Sequence, residues 1–490
     1  MTRAICIAMM LGQAVLNHAQ QPFQLDPTFR TNIQKINVRG VVPLEDGRVI
    51  VSGQLYFGQS DTMFGGARLH PNGARDLSFA PVPNMGGKLV RWQNKIYSGV
   101  GNIVRRVDLD GYNDPSFIMM NNDPLFSSLQ GADYHVFPDG RLLVCGLHNL
   151  YDYARGFVGY YSLIWFDATG HVDTTRHHRY SSGTIWEIEE QPDGRFLCTM
   201  TASTFEGQPV GRVFRVHADG ALDTSFNCPI TWGKANRMTT LDDGRILVSG
   251  LFGAPSLSWD SLHFVRLMPD GSIDPTFNNF LQVTDPLHGQ FTALLHTRLS
   301  DGRIAAHGNF SHIEGQPRQG IALLDADGNL IDDAFAGPGC GAFTYPAGNG
   351  FTYRGTEGMV QGPDSMWYIY GAYHGYNDGT VNDPLQRQVS RLHPADFTTG
   401  AQDATAVGNR LALHPNPARS WVAVDHSFPH APTQATIRVR DAVGKAVLMH
   451  PVNGIRGQTV LSSGNLPPGM YSIELLDQGM TMDVKRLIVQ

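Results

Sequence analysis

The sequence predicts an all-β fold of many short strands, and three observations carry that prediction. Glycine is abundant, 54 of 490 residues, while only 17% of residues are charged. Short strands joined by tight turns need the glycine and leave few solvated faces for charge. Hydrophobic residues reach 42% and aromatics 10%, enough apolar material for a large core and too much for a disordered chain. Short phrases also recur at a fixed period, the mark of a repeat architecture. The formal net charge is −7 and no basic run occurs, which argues against nucleic acid as the main partner.

Residues 1–19 read as an export signal. Arg3 supplies the leading charge, 4–11 (AICIAMML) is apolar, and Ala19 precedes a polar stretch, with Ala14 as a second candidate cleavage site. The apolar run is shorter than the roughly 18–20 residues that span a bilayer, and no later segment is a transmembrane candidate.

Three phrases then alternate. The first is LDPTF at 25–29, RDLSF at 75–79, NDPSF at 113–117, LDTSF at 222–226 and IDPTF at 273–277, with degenerate copies VDTTR at 172–176 and IDDAF at 331–335. Its aspartates (Asp26, Asp76, Asp114, Asp173, Asp223, Asp274, Asp332) recur about every 51 residues. The second phrase is an Asp-Gly turn followed by an apolar run, as in DDGRILVSG at 242–250. Its turns are Asp46-Gly47, Asp139-Gly140, Asp193-Gly194, Asp243-Gly244 and Asp301-Gly302, with weaker forms at 93–99 and 363–371. The third is an apolar strand ending in a turn, from ARLHPNG at 67–73 to SRLHPAD at 390–396. Asp-Gly tolerates positive φ at both central positions, so type I′ hairpins are expected. Each unit of about 50 residues then carries about four strands, the content of one propeller blade.

Seven third-strand phrases occur. The first DxxF phrase precedes any complete unit, and the last unit has none after it. The N-terminal phrase can therefore supply the missing outer strand of the seventh blade and close a ring, which removes exposed sheet edges. A linear β-solenoid leaves these matching orphans unexplained. A seven-bladed β-propeller over 20–397 is expected, and six blades with one irregular unit stays open. Over about residues 25–397 the units resemble the delta-60 repeat family, in which an LDxxF phrase alternates with PDGKILVGG-like strands. That resemblance implies a propeller and no particular activity.

The repeats stop near Phe397, and 398–410 (TTGAQDATAVGNR) reads as a linker. Alternating stretches such as TIRVRD and YSIELLD over 411–490 predict about seven short strands of a small β-sandwich. Three phrases there, His414-Pro415-Asn416-Pro417, LPPGMY at 466–471 and KRLIV at 485–489, resemble the type A C-terminal sorting domain of the type IX secretion system. The residues that carry the likeness are Pro415, Asn416, Pro417, Gly469, Tyr471 and Lys485. His414 stands where that family has an aromatic residue, and Gln490 where it ends in lysine. The resemblance implies export through the inner membrane, passage across the outer membrane by the secretion machinery, and removal of this domain on surface attachment or release.

Chemistry is sparse. Cys6 would leave with the signal, and Cys145, Cys198, Cys228 and Cys340 have no metal-ligand spacing; Cys145 and Cys198 lie in apolar runs and are expected as buried thiols. No nucleophile elbow, P-loop or HExxH occurs, so no catalytic residue, cofactor or metal ligand is nominated. DLDG at 108–111 and DADGNLIDD at 325–333 lack the twelfth-position Glu of a calcium loop and read as turns. Glu187 and Glu189 share one strand face while Glu190 turns away, and a solvated face is the favoured reading. His177 and His178 are expected in an exposed loop. Tyr151, Tyr153, Phe157, Tyr160 and Tyr161 could stack on sugars, with a cap on their own blade preferred. The expectation is a monomeric, secreted or surface-attached, non-catalytic binding or scaffold protein with a glycan or surface-protein ligand. The alternative is a polysaccharide-active enzyme, a glycosidase or lyase, whose carboxylates meet at the propeller mouth.

Overall fold

A computed structural model describes residues 22–60, 62–80, 85–100, 103–254, 259–331, 335, 337–344, 352–394, 411–428, 432–441, 445–452, 454–464, 466–477 and 480–489. The export signal at 1–19, Asp332 and the 398–410 linker lie outside the described residues. The chain divides into two compact units, Met1–Phe397 and Thr398–Gln490. Strands dominate both, and the only helical turns among the described residues are 3-10 turns at Met120–Asn122 and Gly289–Phe291.

Among the described residues, seven main antiparallel sheets follow one another through the first unit, beside three small sheets of two-residue strands. Their first strands are Ile33–Pro43, Leu89–Trp92, Phe126–Val136, Ile185–Glu190, Trp232–Thr240, Leu294–Arg298 and Gly355–Gln361. Each pairs with a middle strand, the apolar run after the Asp-Gly turn, which in turn pairs with a third strand. Among the described residues no sheet closes on itself. The middle strands are apolar without alternation because both of their faces are buried, as successive side chains point opposite ways. Ile246 and Val248 pack towards the fourth sheet, and Leu247 between them packs towards the sixth. Leu142 and Val144 face the second sheet, whereas Leu143 and Cys145 face the fourth. Apolar clusters of this kind join each sheet to the next, and one places Val49, Val51 and Leu69 of the first against Tyr368 and Val389 of the seventh.

The DxxF phrase adds a short fourth strand to each third strand, through antiparallel bridges such as Leu69 to Arg75 and Leu267 to Ile273. In the seventh sheet that place is taken by Leu25, which bridges Leu392, and the Asp26 N–H donates to the Arg391 carbonyl at 2.9 Å. The aspartate does more than turn the chain. In five units its carboxylate receives the Nε–H of an arginine on the third strand at 2.7 Å: Arg68 to Asp76, Arg106 to Asp114, Arg215 to Asp223, Arg266 to Asp274 and Arg391 to Asp26. The phenylalanine three residues on lies 4.8–5.5 Å from the same guanidinium carbon, a cation–π contact.

Two details differ from the sequence reading. The Asp-Gly hairpins are not type I′. Only the glycines have positive φ, +81° to +89°, and the loop has three residues: Leu44 donates to the Arg48 carbonyl, Gly47 donates back to the Leu44 carbonyl, and the four other turns repeat the pattern. This is a type I turn followed by a left-handed glycine. Asp46 keeps negative φ because its Oδ1 accepts the Arg48 N–H at 3.0 Å. The second detail is the sixth unit, where the position bonded to the third strand belongs to Ile331 (its N–H donates to the Leu323 carbonyl) rather than to Asp332. Leu323 stands where other units carry the arginine, so an apolar pair replaces an ion pair there.

In the second unit, Leu411–His414, Trp421–Ser427 and Arg456–Ser462 form one sheet, and Ala446–Pro451, Ala435–Arg440, Gly469–Asp477 and Met480–Val489 form another. The two share one core, including Val424, Ile437, Ile473 and Leu487.

Candidate functional site

The first strand of a sheet is where the repeat departs from regularity. Four of them carry a one-residue register shift opposite the end of the middle strand, leaving Arg39, Trp186, Asn236 and Glu357 without a cross-strand partner; the third sheet skips Ala132 and Asp133 in the same place. A bulge bends its strand and re-aims a side chain. In the first, third, fifth and seventh sheets a glycine lies opposite the bulge. At Gly250 a Cβ would stand 2.3 Å from the Lys234 carbonyl oxygen, so only glycine fits.

All of these skipped residues line one cavity of about 660 Å³, to which all seven sheets or the turns beside their first strands contribute. Its positive groups are Arg39, Lys88 and Arg237, and its acidic groups are Asp133, Glu187, Glu189 and Glu357. Trp186, Tyr353 and Tyr370 supply aromatic surface, and Asn236 and Asn309 supply amides. Lys88 and Asp133 neutralise one another: Nζ donates to Oδ1 at 2.7 Å and to the Tyr134 carbonyl at 3.1 Å. Among the described residues the other five charged side chains make no ion pair, and Glu357 only accepts a long hydrogen bond of 3.5 Å from Asn37. The Nε of Arg237 is buried with no hydrogen-bond partner.

The acids respond to this setting. Burial, reinforced by the Asp133 carboxylate and only partly offset by Arg237 and Lys88, pushes Glu187 up to about 8. Burial also pushes Glu189 up, to about 7, against the pull of Lys88. Glu357 is raised by burial as well, against Arg39. Glu187 and Glu189 do share a face, and that face is the cavity wall rather than open solvent. Glu190 points elsewhere and lies 3.1 Å from the Nε2 of His135.

The other candidates fall apart in space. His178 is fully buried against Phe157 and Trp165, contrary to the exposed loop expected, and burial lowers it to about 4; His177 is exposed beside Phe157. The aromatic cluster splits. Phe157 and Tyr161 pack against the core of their sheet, whereas Tyr151, Tyr153 and Tyr160 stand exposed. Cys145, Cys198, Cys228 and Cys340 are free thiols, the first two and Cys340 buried. The turn pairs Asp46-Gly47, Asp139-Gly140, Asp193-Gly194, Asp243-Gly244 and Asp301-Gly302 all sit in hairpin loops and are not part of the cavity lining.

In the second unit the sorting-motif residues meet around the last two strands. The Asn416 side chain donates to the Arg486 carbonyl at 2.7 Å and accepts the Ile488 N–H at 2.9 Å, between exposed Pro415 and Pro417, each preceded by a cis peptide bond. The Tyr471 hydroxyl donates to the Pro467 carbonyl at 2.7 Å, Gly469 pairs with Val489, and Lys485 pairs with Ile473.

Sequence reasoning missed the cavity charges on or just before the first strands, Arg39, Lys88, Asp133, Arg237 and Glu357. The glycine closing the DGR strands of the first, third and fifth sheets (Gly53, Gly146 and Gly250) was a signal, because a glycine inside a strand marks a bulge opposite.

Residues 412–490 match the secretion system C-terminal sorting domain, and 191–226, 241–277 and 299–330 match the DUF5122 beta-propeller, a domain of unknown function. The sorting domain implies export by the type IX secretion system and interaction with its machinery. No curated protein matches the chain. Among solved structures, PorZ, a surface component of the type IX secretion system of Porphyromonas gingivalis, is 12% identical over 94% of this chain and 75% of its own, with a TM-score of 0.37. The extracellular domain of BT4673 from B. thetaiotaomicron is 11% identical over 96% of this chain and 60% of its own, with a TM-score of 0.42. No helix among the described residues is long and apolar enough to cross a membrane.

Proposed function

We propose that this is a secreted or surface-attached binding protein whose ligand enters the cavity at the centre of a seven-bladed ring. The observation that carries the reading is the set of bulged first strands. They deliver Arg39, Asp133, Trp186, Asn236 and Glu357 from five different sheets into one space. Bulges beside a cavity are devices for aiming side chains, and a charged lining held apart from its counter-charges is costly unless something fills the space. Ring closure by the N-terminal strand is supported by the Leu25–Leu392 bridge, the Asp26–Arg391 ion pair and the shared core of the first and seventh sheets. The delta-60 kind of repeat extends, on this reading, beyond the matched windows to all seven units.

A glycan is the favoured ligand class. Hydroxyl groups both donate and accept, and so can bridge carboxyl and guanidinium groups that do not touch each other. The glutamates favour a second reading, a polysaccharide-cleaving enzyme: Glu187 at about 8 stays protonated at neutral pH, as a general acid must. One experiment separates the two. The purified full-length protein is incubated with a panel of polysaccharides and surface glycoproteins, and retention and release of reducing ends are read together. Retention without release supports the binding protein, release makes it an enzyme, and neither outcome leaves a structural surface role.

A further inference from the structure

The cavity also points to the chemical class of what it binds, an inference that rests on reading it as a binding site. Arg237 is the key group. It projects from the fifth sheet into electrostatic reach of Glu187 and Glu189 on the fourth and Glu357 on the seventh, yet it makes no ion pair with any of them. Arg237 is half-buried, with its Nε shut off from water and without a hydrogen-bond partner, and a guanidinium so placed gains from a carboxylate at contact distance. Here three carboxyls line the same space and none has closed on it.

We propose that the cavity binds an acidic saccharide, its carboxylate held by Arg237 and its hydroxyls reaching Arg39 and Asn236. A guanidinium presents a planar fork of donors that matches a carboxylate in two parallel hydrogen bonds. The surrounding glutamates assist rather than compete. Glu187 faces Asp133, Lys88, Arg237, Glu189 and Lys234, and Glu189 faces Lys88, Asp133, Arg237 and Glu190; burial raises both, to about 8 and about 7, and so favours their protonated forms. A protonated carboxyl donates a hydrogen bond, so the wall beside Arg237 is rich in donors. A sugar fits better than a bare anion or a peptide terminus. The Asn236 amide can both donate to and accept from hydroxyls, and the Trp186 and Tyr353 rings offer an apolar face to a pyranose. Raising the pH past 8 turns the glutamates from donors into like charges beside the ligand's carboxylate, so affinity for an acidic ligand falls while that for a neutral one stays level.

The test measures equilibrium binding of the full-length protein to trigalacturonate and to its carboxyl-reduced counterpart, at pH 6 and pH 9. We expect at least a tenfold preference for the acidic sugar at pH 6, shrinking by tenfold at pH 9. Arg237→Gln should abolish the preference, and Arg237→Lys should keep part of it. Glu187→Gln, which cannot ionise, should preserve more of the acidic-sugar affinity at pH 9 than the wild type does, a readout that stands even if Arg237→Gln fails to fold. Equal affinity for the two sugars, or a preference untouched by Arg237→Gln, would overturn the acidic ligand and leave the binding protein standing. Retention of a peptide carboxylate instead of either sugar would overturn it too. Binding of neither sugar, together with no retention on the wider panel, would overturn both readings.

Discussion

At the scale of single residues, one triad explains most of the repeat. An arginine on the third strand, an aspartate eight residues later and a phenylalanine three beyond that form a buried guanidinium–carboxylate pair with a ring stacked on it. Where the DGR arginine is present it adds a second cation, as Arg245 does to Asp274 at 3.1 Å and Arg195 to Asp223 at 2.9 Å. Burial works against the Asp274 charge, but the hydroxyl and amide of Thr276 and the guanidiniums of Arg266 and Arg245 outweigh it and hold the carboxyl well below the usual range. Asp274→Ala should therefore cost about 3 kcal/mol, because it leaves the buried Arg266 unpaired. Asp301→Ala, at a partly exposed turn, should cost under about 1 kcal/mol in the same denaturant titration. The pH dependence has a definite sign. A carboxyl depressed in the folded state contributes stability above its unfolded value, about 4, and loses it as the pH falls. Wild type should thus lose more stability than Asp274→Ala between pH 5 and pH 2. Glu187 behaves oppositely: raised to about 8, it makes the fold less stable as the pH climbs from about 4 towards 8. Glu187→Gln should melt above wild type at pH 9 and with it at pH 4; equal melting at pH 9 would contradict the raised value. The aspartate and phenylalanine of the triad stood out in the sequence, but the arginine did not. Its spacing is constant, yet it lies in a different phrase, and only strand pairing joins the two.

At the scale of elements, the repeats announced their strands more plainly than their turns or their bulges. Asp-Gly is common to two hairpin types, and what decides between them is a bond the sequence does not display, the aspartate Oδ1 accepting the N–H two residues on. The two degenerate DxxF copies fall in the two units whose third strand lacks the arginine: Trp165 replaces it in one and Leu323 in the other. The phrase decays where its partner is gone. The N-terminal segment shows the converse, since its whole phrase survives with its partner Arg391 more than 360 residues away. That strand also buries Phe23, Leu25 and Phe29 and receives the Tyr376 hydroxyl on the Phe23 carbonyl at 2.9 Å. Deleting residues 21–29 should lower the melting temperature of the whole first unit by well over ten degrees, because three buried apolar side chains and an ion pair go together. Asp26→Ala alone should reproduce a smaller part of the loss. An unchanged melting curve after the deletion would refute the strand-closure reading.

At the scale of the whole molecule, the first unit encloses a charged cavity and the second is an address. The address was legible because its three phrases are local: Asn416 binds the backbone of the last strand, and Tyr471 closes the loop that precedes its neighbour. The cavity was not legible, because its lining comes from seven sheets or the turns beside them and meets only when strands are bulged and the sheets arranged in space. The two units differ in what their loss should do. Truncation after Arg410 removes both sheets of the second unit and its shared core, and leaves every sheet of the first complete. The truncated chain should fold, retain the ligand and melt as the first unit does in the full protein, yet remain in the periplasm when produced in its own host. Fractionation and surface proteolysis of cells carrying the truncated and full-length forms would read this directly. Surface display of the truncated chain at the full-length level would mean that the second unit is not the export signal. Asn416→Ala offers a finer version, since it removes two hydrogen bonds to the last strand at an exposed site. Partial periplasmic retention with an intact fold would place recognition at that end of the domain, whereas normal export would place it elsewhere.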